Sequence, residues 1–139
     1  MKDQFYLHFE TMPSGTAQQK GVRIVHGKPY FYKKASVEEA EAVFKRALLP
    51  HAPKKPSTRP IKLTVWFCFD VKDRKLWGQP KPTRPDTDNY LKMFKDLMTE
   101  CGFWKDDAQV VDEHVIKTYA EKATIGVRWE EVFDYVIPE

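Results

Sequence analysis

Between Arg84 and Asp112 the chain sets Asp86 and Asp88 two positions apart, Lys92 four residues later, and a second acidic pair, Asp106-Asp107, beyond an apolar-patterned stretch. Clustered carboxylates are hard oxygen donors of the kind Mg²⁺ takes together with retained waters and substrate phosphates. Their chemistry would be metal-assisted phosphodiester hydrolysis, with one ion activating water and another stabilising the leaving oxygen, roughly 3.5 to 4 Å apart. Capping is the competing explanation. Aspartate is a good N-cap, its charge suits the positive end of a helix, and an Asp pair after a helix suits a turn. That explanation covers one of Asp86 and Asp88 better than both, because only one side chain can be the cap and adjacent like charges oppose joint ionisation. Lys92 reads either as an i,i+4 ion pair of ~0.3 kcal/mol with Asp88 or as a cation that contacts the scissile phosphate or helps polarise the attacking water. Asp96 continues the same polar row one turn on. Turn geometry after the helix decides whether Asp106-Asp107 folds back beside it or stays at its far end, and the sequence leaves both open.

The elements that must position these groups follow from periodicity. Tyr90, Leu91, Phe94, Leu97, Met98 and Cys101 recur at helical spacing after Asp86-Asn89, and Gly102 is placed to end that helix. An earlier helix is expected from a Ser36/Glu39 capping box through Val37, Ala40, Val43, Phe44, Ala47 and Leu48 to Pro50. Strands are expected at Phe5–Phe9, at Pro29–Lys33 as a short strand or extended arm, at Ile61–Phe69, from Val110 to about Tyr119, and at Thr124–Trp129. Met12 to Gly15 opens a turn-rich stretch that reads as a flexible loop, Pro50 to Pro60 is a proline- and lysine-rich connector, and Asp73 to Pro85 reads as a loop. The order β, β, α, β, α, β, β predicts an α+β fold, a small mixed sheet packed with two main helices, in one domain spanning 1–139.

At 139 residues with 42% hydrophobic and 31% charged residues, the composition suits a globular domain, and no apolar run approaches the ~20 residues of a membrane-spanning helix. The first fifteen residues mix charge into their only apolar run, so a secretory leader is not expected and a cytoplasmic location is. Cys68 and Cys101 lack metal-ligand spacing and read as reduced core residues. Net charge is only +3, but Lys54, Lys55, Arg59, Lys62, Lys72, Arg74, Lys75, Lys81 and Arg84 crowd one stretch against Asp70 and Asp73. That stretch is either a solvated basic surface or a contact for a polyanion. Trp77 within it either stacks on a base or packs on its own domain.

Pro85-Asp86-Thr87-Asp88-Asn89, Lys92, Asp96-Leu97 and Gly102-Phe103-Trp104-Lys105-Asp106-Asp107-Ala108-Gln109-Val110-Val111 resemble, in order and spacing, the RusA family of Holliday junction resolvases, over about a quarter of the chain from Arg84 to Lys117. The resemblance implies a homodimeric, Mg²⁺-dependent endonuclease of phage or prophage type, with Mn²⁺ able to substitute, that cuts four-way DNA junctions symmetrically in recombination and repair. It implies Asp86, Asp88 and Asp107 as metal-binding and catalytic carboxylates, Lys92 as catalytic lysine, and Asp106 as a site-shaping residue or additional ligand. Lys117 becomes a candidate phosphate contact, beside its reading as a solvent-facing strand lysine. Lys72, Arg74, Lys75, Lys81 and Arg84 are candidate DNA contacts. The alternative is an accessory protein that binds branched DNA without cutting it, and a third reading makes the acidic clusters caps and turns in an interaction module.

Overall fold

The computed structural model describes residues 1–13, 20–33 and 35–139. Its elements are β1 (Lys2–Phe9), β2 (Lys20–Val25), β3 (Lys28–Lys33), α1 (Ala35–Leu48), β4 (Ile61–Asp70), α2 (Thr87–Glu100), β5 (Val110–Ala120) and β6 (Ala123–Glu131), with short 3₁₀ turns at Leu49–His51, Arg74–Leu76 and Asp107–Gln109. The main sheet has the order β1-β6-β4-β5, while β2 and β3 form a hairpin of their own. Strand β4 runs antiparallel to β6 and parallel to β5. A parallel pair needs a long crossover, and α2 lies on it, so one connection carries the helix and both acidic clusters. This is the mixed sheet with two helices that the sequence predicts.

Alternation along the strands sorts the two faces. Phe5 and Leu7, Leu63, Val65 and Phe67, Ile125, Val127 and Trp129 are buried on one face, where Phe44 of α1 and Tyr90, Phe94 and Leu97 of α2 meet them. Phe94 lies edge-to-face on Phe44 and Phe67 with centroids 5.7 and 5.6 Å apart, and Phe67 meets Tyr90 at 4.7 Å. Burying each such ring contributes ~1.5 to 3 kcal/mol, with about 0.5 to 1.5 more for a ring pair. Cys101 is in this core as expected. Cys68 is not: it is half-buried on the opposite face of β4, alternating with Phe67. From Val65 to Phe69 the sequence of β4 is continuously apolar, yet both helices pack on one side of it.

The hairpin turn His26-Gly27 has positive φ at both residues, 51° and 78°, the type I′ geometry that suits strand twist. Its first strand, β2, is an element the sequence reading misses, since Lys20–Val25 carries only a weak alternation. The loop expected after Pro13 lies at 14–19, outside the described residues, as does the side chain of Ser36, which falls inside α1 and not before it.

Candidate active site

Helix α2 begins where the first cluster stands. Asp86 holds the N-cap position with extended backbone, yet its side chain makes no capping hydrogen bond, and its carboxylate and that of Asp88 in the first turn face solvent. Capping therefore does not occupy either group. The loop delivering Asp86 is tied to the sheet by Lys117 of β5, whose ammonium donates to the carbonyls of Thr83 (2.6 Å) and Pro85 (2.7 Å). The Arg84-Pro85 peptide bond is cis. Lys117 is thus more than a solvent-facing strand lysine: two of its three protons fix the loop and one is left for another acceptor.

The second cluster is reached through a tightly specified helix end. Gly102 at C′ has φ 89°, and two bonds, Gly102 N–H to the Thr99 carbonyl (3.0 Å) and Phe103 N–H to the Met98 carbonyl (3.1 Å), make a Schellman motif. Trp104 is then buried against Trp129 and donates Nε1–H to the Thr99 hydroxyl at 2.7 Å. That hydroxyl donates in turn to Asp107. Asp106 caps the following 3₁₀ turn, accepting from Ala108 N–H at 2.8 Å, while Gln109 closes the box from the Asp106 N–H and anchors to the carbonyls of Ser57 and Arg59. Asp106 is engaged in shaping the turn, whereas Asp107 is aimed at the helix.

Asp107 meets Asp96, a carboxylate that the sequence reading places in the polar row and in the family motif without giving it a role in the site. Asp96 hydrogen-bonds it, and burial, then that bond and the Asp107 charge, push Asp96 up to about 6. For Asp107 burial acts upward, but the hydrogen bonds from Asp96 and Thr99 and the nearby Lys95 and Lys92 carry it below the usual carboxylate range. The pair holds one proton at mildly acid pH, resting on Asp96. Lys95 is paired with Glu113 of β5. Lys92 is exposed between the two clusters and has no carboxylate within salt-bridge distance among the described residues, so the simple i,i+4 pair with Asp88 does not form.

The candidate ligands therefore arrive as two pairs. Asp86 and Asp88 stand at the start of α2, and Asp107 is held at Thr99, eleven residues beyond Asp88 or ~16 Å of helical rise. Among the described residues no three His, Cys, Asp or Glu side chains gather closely enough to hold a metal. The donors fit a hard cation in kind, but Asp86, Asp88 and Asp107 of one chain do not fit it in placement.

The basic candidates differ in what engages them. Lys72, Arg74, Lys75 and Arg84 are exposed. Lys81 donates to Thr83 at 2.6 Å and sits over the Phe69 and Tyr119 rings, bracing the same loop as Lys117. Trp77 packs on its own domain: its Nε1–H reaches the Val71 carbonyl at 2.9 Å and Arg74 lies over its ring. The contact of Asp96 with Asp107 and the Thr99–Trp104 clamp that makes it are what the sequence reading misses, although Asp96 and Trp104 both stand in the quoted motif.

The βαβ crossover thus carries two carboxylate pairs, with Lys92 exposed between them and without a carboxylate at salt-bridge distance among the described residues. The chain belongs to the RusA family, described as "Endodeoxyribonuclease RusA", whose sequence profile matches residues 10–130. It is 36% identical over 134 residues to the crossover junction endodeoxyribonuclease RusA of Lactococcus phage r1t, covering 95% of this chain and 100% of that protein. It is also 44% identical over 63 residues to the protein of that name from Shigella sonnei strain Ss046 (43% of this chain, 52% of the relative) and 44% over 55 residues to that of Escherichia coli K12 (40% and 46%). Among the described residues no helix is long and apolar enough to cross a membrane.

Proposed function

We propose that this protein is a Mg²⁺-dependent endodeoxyribonuclease that resolves four-way DNA junctions in the cytoplasm, in recombination and repair, with Mn²⁺ able to substitute. The observation that carries the reading is the pair Asp86 and Asp88 left uncapped at the start of α2, on a chain that matches a junction endonuclease end to end. Asp86, Asp88 and Asp107 are the residues that would hold the metal, and since they do not converge in one chain no step is assigned to it. Lys92 faces the phosphate and stabilises charge that grows on it. Lys117 and Lys81 hold the loop that aims Asp86, and Thr99 holds Asp107.

The separation of the pairs also supports the homodimer. Two copies related by a two-fold axis with their α2 helices antiparallel set Asp86 and Asp88 of one beside Asp96 and Asp107 of the other, giving two identical sites. A four-way junction has the matching symmetry.

The test is cleavage of an end-labelled synthetic four-way junction and a duplex of the same sequence, in Mg²⁺ and in EDTA. Paired cuts in the junction alone, abolished by EDTA, are expected. Tight junction binding without cuts in either Mg²⁺ or Mn²⁺ would replace this reading with the non-catalytic accessory protein.

A further inference from the structure

The face of the sheet turned away from both helices carries a feature that the nuclease chemistry does not use. On the middle strand of three, Gly126 pairs with Tyr6 on one side and Trp66 on the other. Their Cα atoms are about 10 Å apart across two strand spacings, and both rings lie over Gly126, which puts no side chain between them. A Cβ built there would lie 2.9 Å from Trp66 and 3.3 Å from Tyr6. Tyr6 is 54% exposed. Gln4 donates to the Tyr6 hydroxyl at 2.7 Å and accepts from Arg128 Nε at 3.0 Å, and the Arg128 guanidinium lies over the Trp66 ring, 5.3 Å from its centroid. One network thus fixes two aromatic rings and a permanent positive charge on an open surface.

Three successive cross-strand rows, those of Gln4, Tyr6 and His8, carry no Asp or Glu on any of the four strands. In a chain with 20 acidic residues that absence defines the occupant. The carboxylates of this face, Glu130 and Asp112 in the next row and Asp70 at the far end of β4, lie outside those three rows, so the rings and Arg128 stand in an acid-free centre. A chain that alternates flat π faces with negative charge matches both the rings and the guanidinium.

We propose that the Tyr6–Gly126–Trp66 platform, with Arg128, is a second nucleic-acid site that stacks unpaired bases of single-stranded DNA. It stands on the opposite side of the sheet from α2 and does not rest on the cleavage reading. An exposed strand of a branched substrate would be held there.

The experiment is fluorescence anisotropy with a labelled oligothymidylate about twelve nucleotides long, within the range such platforms span, against an abasic oligonucleotide of the same length. The protein carries Asp88→Asn so that cleavage is absent. Stacking is worth ~1 to 3 kcal/mol per base, so the thymidylate should bind about tenfold or more tighter than the abasic strand. Tyr6→Ala should remove that preference without changing abasic binding, and Tyr6→Phe should keep it. Crosslinking of a 5-iodouracil oligonucleotide, mapped by mass spectrometry, should label Tyr6 or Trp66 and serves if Tyr6→Ala fails to fold. Equal affinity for both strands, no binding, crosslinks confined to other residues, or a Tyr6→Ala variant whose only change is weaker self-association in sedimentation would each overturn the proposal.

Discussion

Asp96 shows how a side chain with an ordinary surface address acquires a role. In sequence it extends a polar row and stands in the family motif with no role of its own, until the Trp104–Thr99–Asp107 chain delivers a second carboxylate against it. Its proton affinity is raised in the folded chain to about 6, so the stability it confers is complete below the ordinary carboxylate value of 3.8 and is lost as pH rises through about 6. Asp107 has the opposite sign: its contribution is present above the ordinary value and is lost as pH falls through its lower folded one. Asp96→Asn keeps a hydrogen-bond donor for Asp107 and removes the competing charge. In EDTA this variant should melt above wild type at pH 8, by about 1 kcal/mol after allowing for solvent screening of a half-exposed pair, and the gap should close by pH 4. Calorimetry across that range checks it; a gap independent of pH would show that Asp96 does not carry the shared proton.

At the scale of elements, the parts set by local rules were legible. The apolar spacing of Tyr90 to Cys101 and the glycine after it located α2 within a residue at its C-terminal end, because the Schellman turn needs a residue that adopts positive φ. Gly102→Ala has room for the methyl, with only Pro56 at 3.9 Å, but must hold φ 89°. It should cost about 1 to 2 kcal/mol, seen as a melting point several degrees lower, and should weaken junction cleavage because the turn also aims Asp107. Elements set by tertiary context were less legible. The alternation in β2 is too weak to announce a strand, and nothing in the apolar run of β4 says that one face lacks a covering layer, which is why Cys68 reads as core. Trp77 likewise takes its place from a bond to Val71, a partner that spacing does not reveal.

For the whole molecule, the family motifs named the carboxylates but not their arrangement. Asp86 and Asp107 are 21 positions apart, and whether they meet depends on how the chain leaves the helix. It turns at Gly102 and returns along β5, antiparallel to α2, so Asp107 stays at the far end while Lys117 comes back to the loop before Asp86. One chain therefore holds the two carboxylate pairs apart, and under the proposed function a second copy completes each site. Mixing answers this directly. Asp88→Asn and Asp107→Asn proteins, each inactive alone, are co-expressed with different tags, the mixed dimer is purified through both, and it is assayed on a labelled four-way junction in Mg²⁺. Sites shared between copies leave one of the two sites with all its carboxylates intact, so the mixed dimer should nick the junction in one strand of the symmetric pair. A mixed dimer as inactive as its parents, beside a wild type that cuts, would contradict the account and place all three carboxylates of each site within one chain.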